Sequence, residues 1–425
     1  MSGEREDLRA VLRAAATVTR SVLERALEDR DVSWQEAEAL CRVEGAELAA
    51  LIATADELRR RQAGESVTYV VNRNVNFTNV CVKACKFCAF SRTHRSEQGY
   101  FLETAEVLRR ALEAHELGAT ELCIQAGLPP NVDGSLYVDL CRELKRALPS
   151  LHLHAFSPEE IKYGAGLSGS SIREHIAALK AAGLGSIPGT SAEILDDSVR
   201  KRLAGGRIST AEWVHVIRTA HELGLPTTST VMFGHIESHG ELVRHLDLLR
   251  SIQRDTGGFT EFVPLSFIHT EAPLYAKKLL PSVRPGPTPD DVTRLFAIAR
   301  ILLGASFRNI QASWVKQGAA GAQRLLACGA NDLGGTLMNE SISTAAGASH
   351  GQWLPPRELR RLAREAGRVP VQRDTLYRTL REYPRVPTED ESDPLDELTN
   401  ANERFGSYAE LVRDSRYAFK KSAQL

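Results

Sequence analysis

The chain has 425 residues, 43% hydrophobic and 25% charged, with a formal net charge of −1. A large core is therefore within reach, and no global charge draws the chain to nucleic acid or to an anionic membrane. The opening MSGEREDLRA lacks an apolar signal-peptide core, and the run AIARILLGA is broken by Arg300, so no segment reaches the ~20 apolar residues of a membrane span. A cytoplasmic protein is expected. Seven cysteines, with Cys81, Cys85 and Cys88 within eight residues, fit a reduced compartment and a metal site better than a disulfide framework.

Residues 1–65 read as a helical segment, in which Ser33 and Glu36 have capping-box spacing. Over residues 66–350 helices end at glycine and short apolar strands follow, as in HELGATELCIQ, LKAAGLGSIPG and HELGLPTTSTVMF. Helix starts are marked at Ser157 with Glu160, Ser171 with Glu174, Ser209 with Glu212, and Thr288 with Asp291. This alternation predicts parallel βαβ units. The strands each have one polar face: Asn72, Asn74, Asn76 and Thr78 in one, Gln125 in the next, His152 and His154 in a third. A sheet covered on both faces would be apolar throughout, so the pattern predicts a TIM-like β/α barrel with a polar lumen. Residues 351–425 are expected as a helical or loose extension. They hold a basic amphipathic helix (RELRRLAREAGR), an acidic stretch (TEDESDPLDE) read as a loose segment, and about 25 terminal residues read as one helix.

The motif Cys81-x3-Cys85-x2-Cys88 follows the first barrel strand, and thus sits at the strand end where barrels build active sites. Three thiolates on one loop suit one [4Fe–4S] cluster, leaving one iron to chelate S-adenosylmethionine (SAM). A structural zinc site is the alternative, with His94 as the nearest fourth ligand. Among the other polar residues, His154 is a candidate acid–base group on the inward face, and Glu261 interrupts an otherwise apolar strand.

The segment NRNVNFTNVCVKACKFCAF resembles the radical SAM enzymes of deazaflavin and menaquinone biosynthesis. HAFSPEEI, SIPGTSAEILDDSVR, TGGFTEFVPLSF, QASWVKQG and CGANDLGGTLMNESIS extend a likeness to the CofH family over roughly residues 66–350. The resemblance implies a radical SAM transferase with a [4Fe–4S] cluster on Cys81, Cys85 and Cys88. It implies L-tyrosine and 5-amino-6-(D-ribitylamino)uracil as substrates, a CofG-type sister subunit and a ferredoxin or flavodoxin electron donor. It further implies that Gln125, Ala126 and Gly127 meet SAM, Ala126 replacing a glycine usual in the family, together with Glu193, Gly234 and Glu237. The loop Asn331–Thr336 would hold the ribityl chain or the uracil. An aminofutalosine synthase, a dehypoxanthine futalosine cyclase or a CofH paralogue with another substrate on the same scaffold, or a non-catalytic zinc or Fe–S module, stays open at this point.

Overall fold

The computed structural model describes residues 2–420. Four helices, Ser2–Ala14, Thr17–Leu27, Trp34–Leu40 and Gly45–Ala63, come first. The third starts with the expected capping box: the Ser33 side chain accepts from the Glu36 N–H at 3.3 Å, and the Glu36 carboxylate accepts from the Ser33 N–H at 2.9 Å. Helix Gly45–Ala63, which buries Leu51, Ala55 and Leu58, packs against helix Pro289–Leu303. These helices share one hydrophobic core with the rest of the chain, from Leu12 to Leu411.

The barrel is built from β1 (Ser66–Val70), β2 (Asn72–Val75), β3 (Glu121–Ile124), β4 (His152–Ala155), β5 (Thr227–Phe233), β6 (Phe259–Ser266) and β7 (Asp332–Gly335). Parallel ladders join β2–β3–β4, β5–β6 and β1–β7. Single parallel bridges supply the remaining connections. His154–Ser186 and Ile187–Thr227 link β4 to β5; Phe262–Ile310 and Gln311–Asp332 link β6 to β7; Arg73–Met338 runs beside β2. Residues 186–187 and 310–311 thus stand in strand positions, and the ring closes as the expected β/α barrel. The predicted helix starts hold too: Ser157, Ser171, Ser209 and Thr288 all form capping boxes. Gly183, after the helix Ile172–Ala181, turns with φ +101°, a conformation cheap only for glycine.

The C-terminal stretch differs from the expected helical or loose tail. After helix Pro356–Glu365, β8 (Val369–Arg373) pairs in parallel with residues 66–69 of β1, and β9 (Thr379–Glu382) returns antiparallel. The strand satisfies a backbone edge that β1 extends past β3. The acidic stretch folds back on the basic helix: Arg364 meets the Glu391 carboxylate at 2.7 Å, and Arg360 pairs with Asp393 and Asp396. Opposite charges from two elements, each unremarkable alone, order both. Residues 401–420 form two short helices, Ala401–Phe405 and Tyr408–Leu411, and not one long helix; residues 421–425 of that expected helix lie outside the described residues. Tyr408 packs on Phe90, and the Asn79 side chain donates to its hydroxyl at 3.3 Å, so the tail supports the loop that carries the cysteines. Among the described residues, no helix is long and apolar enough to cross a membrane.

Candidate active site

The loop after β2 is pinned by its backbone. Cys81 N–H donates to Arg92 O and Val82 N–H to Leu128 O, both at 2.9 Å, and Lys86 N–H donates to Leu203 O at 3.1 Å. Thus held, all three thiols line a cavity of about 260 Å³ at the C-terminal end of the strands. Burial raises the proton affinity of Cys81 and pushes the Cys85 thiol up to about 12. A thiol so placed ionises only against a strong positive partner, such as iron. Among the described residues, no three His, Cys, Asp or Glu side chains converge as the ligands of a single ion do. A cubane takes each thiolate on a different iron, so its ligands must border one space without meeting at a point. The donor set and the cavity fit a [4Fe–4S] cluster.

Gln125, Ala126 and Gly127, at the end of β3, border the same cavity, and so does Glu193. The Gln125 carbonyl on its side chain accepts from the Thr190 hydroxyl at 2.8 Å. Gly127 cannot carry a side chain, because a Cβ there would stand 2.3 Å from Val80 O. Glu193 is ion-paired with Arg207 at 2.8 Å, and Arg207 also meets Glu159 at 3.2 Å. The Arg207 guanidinium lies 5.6 Å from the ring centre of Phe87, between two of the cysteines in sequence.

Several cavity residues escaped the sequence reading. Glu160 was visible there as a helix cap only. One of its oxygens does cap Ser157, while the other accepts from the Ala126 N–H at 3.0 Å, tying the end of β3 to helix Pro158–Ser168, which follows β4. Burial raises its carboxyl to about 7. Arg207, Glu159 and Lys316 also border the cavity, and no local spacing signals them.

Four expected site residues stand elsewhere. His154 lies deeper in the lumen, where its Nδ1 meets the Ser186 hydroxyl at 2.7 Å; burial brings its imidazole down to about 4. Glu261 lies lower still, accepting from the Tyr377 hydroxyl and 3.8 Å from Arg373. Neither borders the cluster cavity. Gly234 and Glu237 close a turn of their own. The Glu237 carboxylate accepts from Gly234 N–H at 2.6 Å and His235 N–H at 3.0 Å and pairs with Arg284. Burial opposes its ionisation, but His235, Arg284 and the Gly234 N–H outweigh burial and hold it at about 2. This turn borders a separate, much smaller cavity. The segment Asn331–Thr336, expected as a loop, is strand β7 with its two flanking residues, and its polar groups are engaged within the protein: Asn331 accepts from Arg300 at 2.9 Å, Asp332 from Arg373 at 2.6 Å, and Thr336 bonds Asn72.

Residues 75–249 match the Radical SAM superfamily, and residues 256–386 match the CofH/MqnC C-terminal region. The 5-amino-6-(D-ribitylamino)uracil–L-tyrosine 4-hydroxyphenyl transferase of Methanothermobacter thermautotrophicus is 49% identical over 364 residues, which cover 86% of this chain and 98% of that one. The chain belongs to the CofH family of radical SAM enzymes. The FO synthase of Nocardia farcinica is 51% identical over 339 residues, 80% of this chain but 39% of that longer one. In fold, the chain resembles HydG, a maturase of the [FeFe]-hydrogenase (TM-score 0.65, 18% identity, 87% of this chain and 79% of that one). It also resembles methylornithine synthase PylB (TM-score 0.59, 16% identity, 80% and 95%). As a radical SAM enzyme the CofH-type chain uses a [4Fe–4S] cluster and SAM, and the cysteines that border the cavity are the ones in its matched region.

Proposed function

We propose that this chain cleaves L-tyrosine and transfers its 4-hydroxybenzyl group to 5-amino-6-(D-ribitylamino)uracil, the reaction class named for its Methanothermobacter relative. The observation that carries the reading is the near-full-length identity with that transferase, joined to a single cavity bordered by Cys81, Cys85 and Cys88. Cluster and SAM, when bound, supply a 5′-deoxyadenosyl radical by one-electron cleavage of the sulfonium. The chain's own part is to hold and orient. Cys81, Cys85 and Cys88 hold the cluster. Gln125, Ala126, Gly127 and Glu193 form the polar side of the cavity and receive SAM. Met232, Leu265 and Phe267 form an apolar side that suits an aromatic ring and excludes water. Gly234, Glu237, His154 and Glu261 act through the fold and do not touch the reactants. An electron donor such as ferredoxin or flavodoxin reduces the cluster, and a CofG-type sister activity closes the ring of the product.

Anaerobic reconstitution with iron and sulfide, reduction, and addition of SAM and both substrates tests the reading. Mass spectrometry is expected to find 5′-deoxyadenosine and the hydroxybenzyl adduct together. Deoxyadenosine without adduct would mean that the substrates are wrong.

A further inference from the structure

Lys316 stands in the first turn of helix Trp314–Leu325 and borders the cluster cavity. Its neighbours on the helix are anchored. The Trp314 indole N–H donates to Gly335 O at 2.8 Å, and the Gln317 amide donates to the Ser266 hydroxyl at 2.5 Å. The helix breaks its regular geometry at Gly318, φ +71°, immediately beyond. The other cations of the cavity are neutralised: Arg207 by Glu193 and Glu159, Lys83 by Glu159 at 3.4 Å. The ammonium of Lys316 has no ion pair and no hydrogen bond among the described residues. The acid that influences it electrostatically, Glu340, already accepts from the Ser343 and Thr344 N–H groups at 2.8 and 3.3 Å. Lys316 is half-buried and burial disfavours its charge, so an anion arriving in the cavity would meet a cation that the protein itself leaves without a counter-charge.

A second cavity, of about 340 Å³, adjoins the first. Ser266, Phe267, Ile268 and Lys316 border both. An anion at Lys316 therefore stands between two spaces, where a donor substrate must stand if a fragment of it passes to a second substrate.

We propose that Lys316 is the anion-binding residue of this cavity and holds the α-carboxylate of the amino-acid substrate. The inference rests on the reading above that the enzyme cleaves an amino acid. Two ligands of that reading carry an α-carboxylate, the amino acid and SAM; the position beside the second cavity assigns Lys316 to the amino acid. Lys316 is thus a substrate-binding residue. Its charge sets affinity for the carboxylate and orients the amine toward the cofactor side.

The test is equilibrium dialysis of the reconstituted holoenzyme against L-tyrosine, tyramine, which lacks the carboxylate, and SAM. Lys316→Met keeps the length of the stem and removes the charge; it is expected to weaken L-tyrosine binding roughly 10- to 100-fold. Tyramine and SAM affinities should stay within about twofold, and Lys316→Arg should recover part of the loss. Lys316→Gln gives the same readout if the methionine variant aggregates. A variant that still prefers tyrosine over tyramine as the wild type does overturns the inference and leaves the proposed function standing. A loss of SAM affinity in place of tyrosine affinity overturns it too, because the carboxylate is then that of SAM. If wild-type holoenzyme binds no tyrosine and forms no adduct, the proposed function and the inference fall together.

Discussion

At the C-terminal end of the barrel strands, the thiols of Cys85 and Cys88 and the ammonium of Lys316 border open space. At the N-terminal end, Glu261, Asp332 and Arg373 border one another. Arg373 binds Asp332 through two nitrogens, at 2.6 and 3.1 Å, its guanidinium lies 3.9 Å from the ring centre of Tyr377, and Tyr377 donates to Glu261. Higher up, the Asn72 amide donates to Glu121 at 2.7 Å, and Ser186 joins His152 to His154. Both ends are polar, but the lower end spends its polar groups on each other. The difference teaches that a polar lumen is not by itself a binding site. A site needs groups left with a free valence toward a ligand, and here the tail, through Arg373 and Tyr377, closes the lower end.

The sharpest break of this comparison is Cys85→Ser. Formation of 5′-deoxyadenosine should fall at least about a thousandfold, with the iron–sulfur absorption reduced and the circular dichroism of the barrel retained. The thiol sits in the upper cavity and the barrel core does not depend on it. A folded Cys85→Ser enzyme that still cleaves SAM would refute the cluster assignment.

Arg373→Met attacks the other end. It leaves Asp332 buried without its partner, at a cost of about 3–5 kcal/mol. The urea midpoint should drop accordingly, while deoxyadenosine formation per folded molecule at low temperature stays within about twofold of wild type. A large loss of SAM cleavage in the folded fraction would mean that the lower network reaches the reactants after all.

Glu160→Gln sharpens the contrast through pH. Folded Glu160 holds its proton up to about 7, against an ordinary 4.5. Its contribution to stability is therefore full below about 4.5 and is lost as pH rises to about 7. Measured against Glu160→Gln, wild-type stability should decline across that window by on the order of 3 kcal/mol and level off above it. The difference between the two proteins cancels Glu261, which burial also raises to about 7. Denaturation midpoints at pH 5, 6, 7 and 8 check the slope; a parallel pair of curves would place Glu160 outside the titrating range.

The smallest effect belongs to Ala126→Gly. Ala126 has no positive φ, and its N–H is already held by Glu160. A glycine at this position should change deoxyadenosine formation by less than about twofold and cost about 0.5–1 kcal/mol of stability. A tenfold gain in SAM cleavage would show that the methyl group obstructs the cofactor.

What the sequence determined by itself was local. The three cysteines lie within eight residues on one loop, so their spacing alone predicted that they line one cavity, and strand ends such as Gln125–Gly127 and helix caps such as Ser157 were legible from neighbours three or four residues away. Alternation also named the inward faces correctly. It could not name depth, because a period of two fixes which face a side chain takes and not how far along the barrel it stands. That depth is set by register: His154 pairs beside Cys123, one layer below Gln125, and faces Ser186. Glu261, near the start of β6, meets a tail more than a hundred residues away. Tertiary structure alone decided these placements, and it alone joined Arg207 and Lys316 to the cysteines, since Coulomb forces and packing act through space while sequence patterns report only neighbours along the chain.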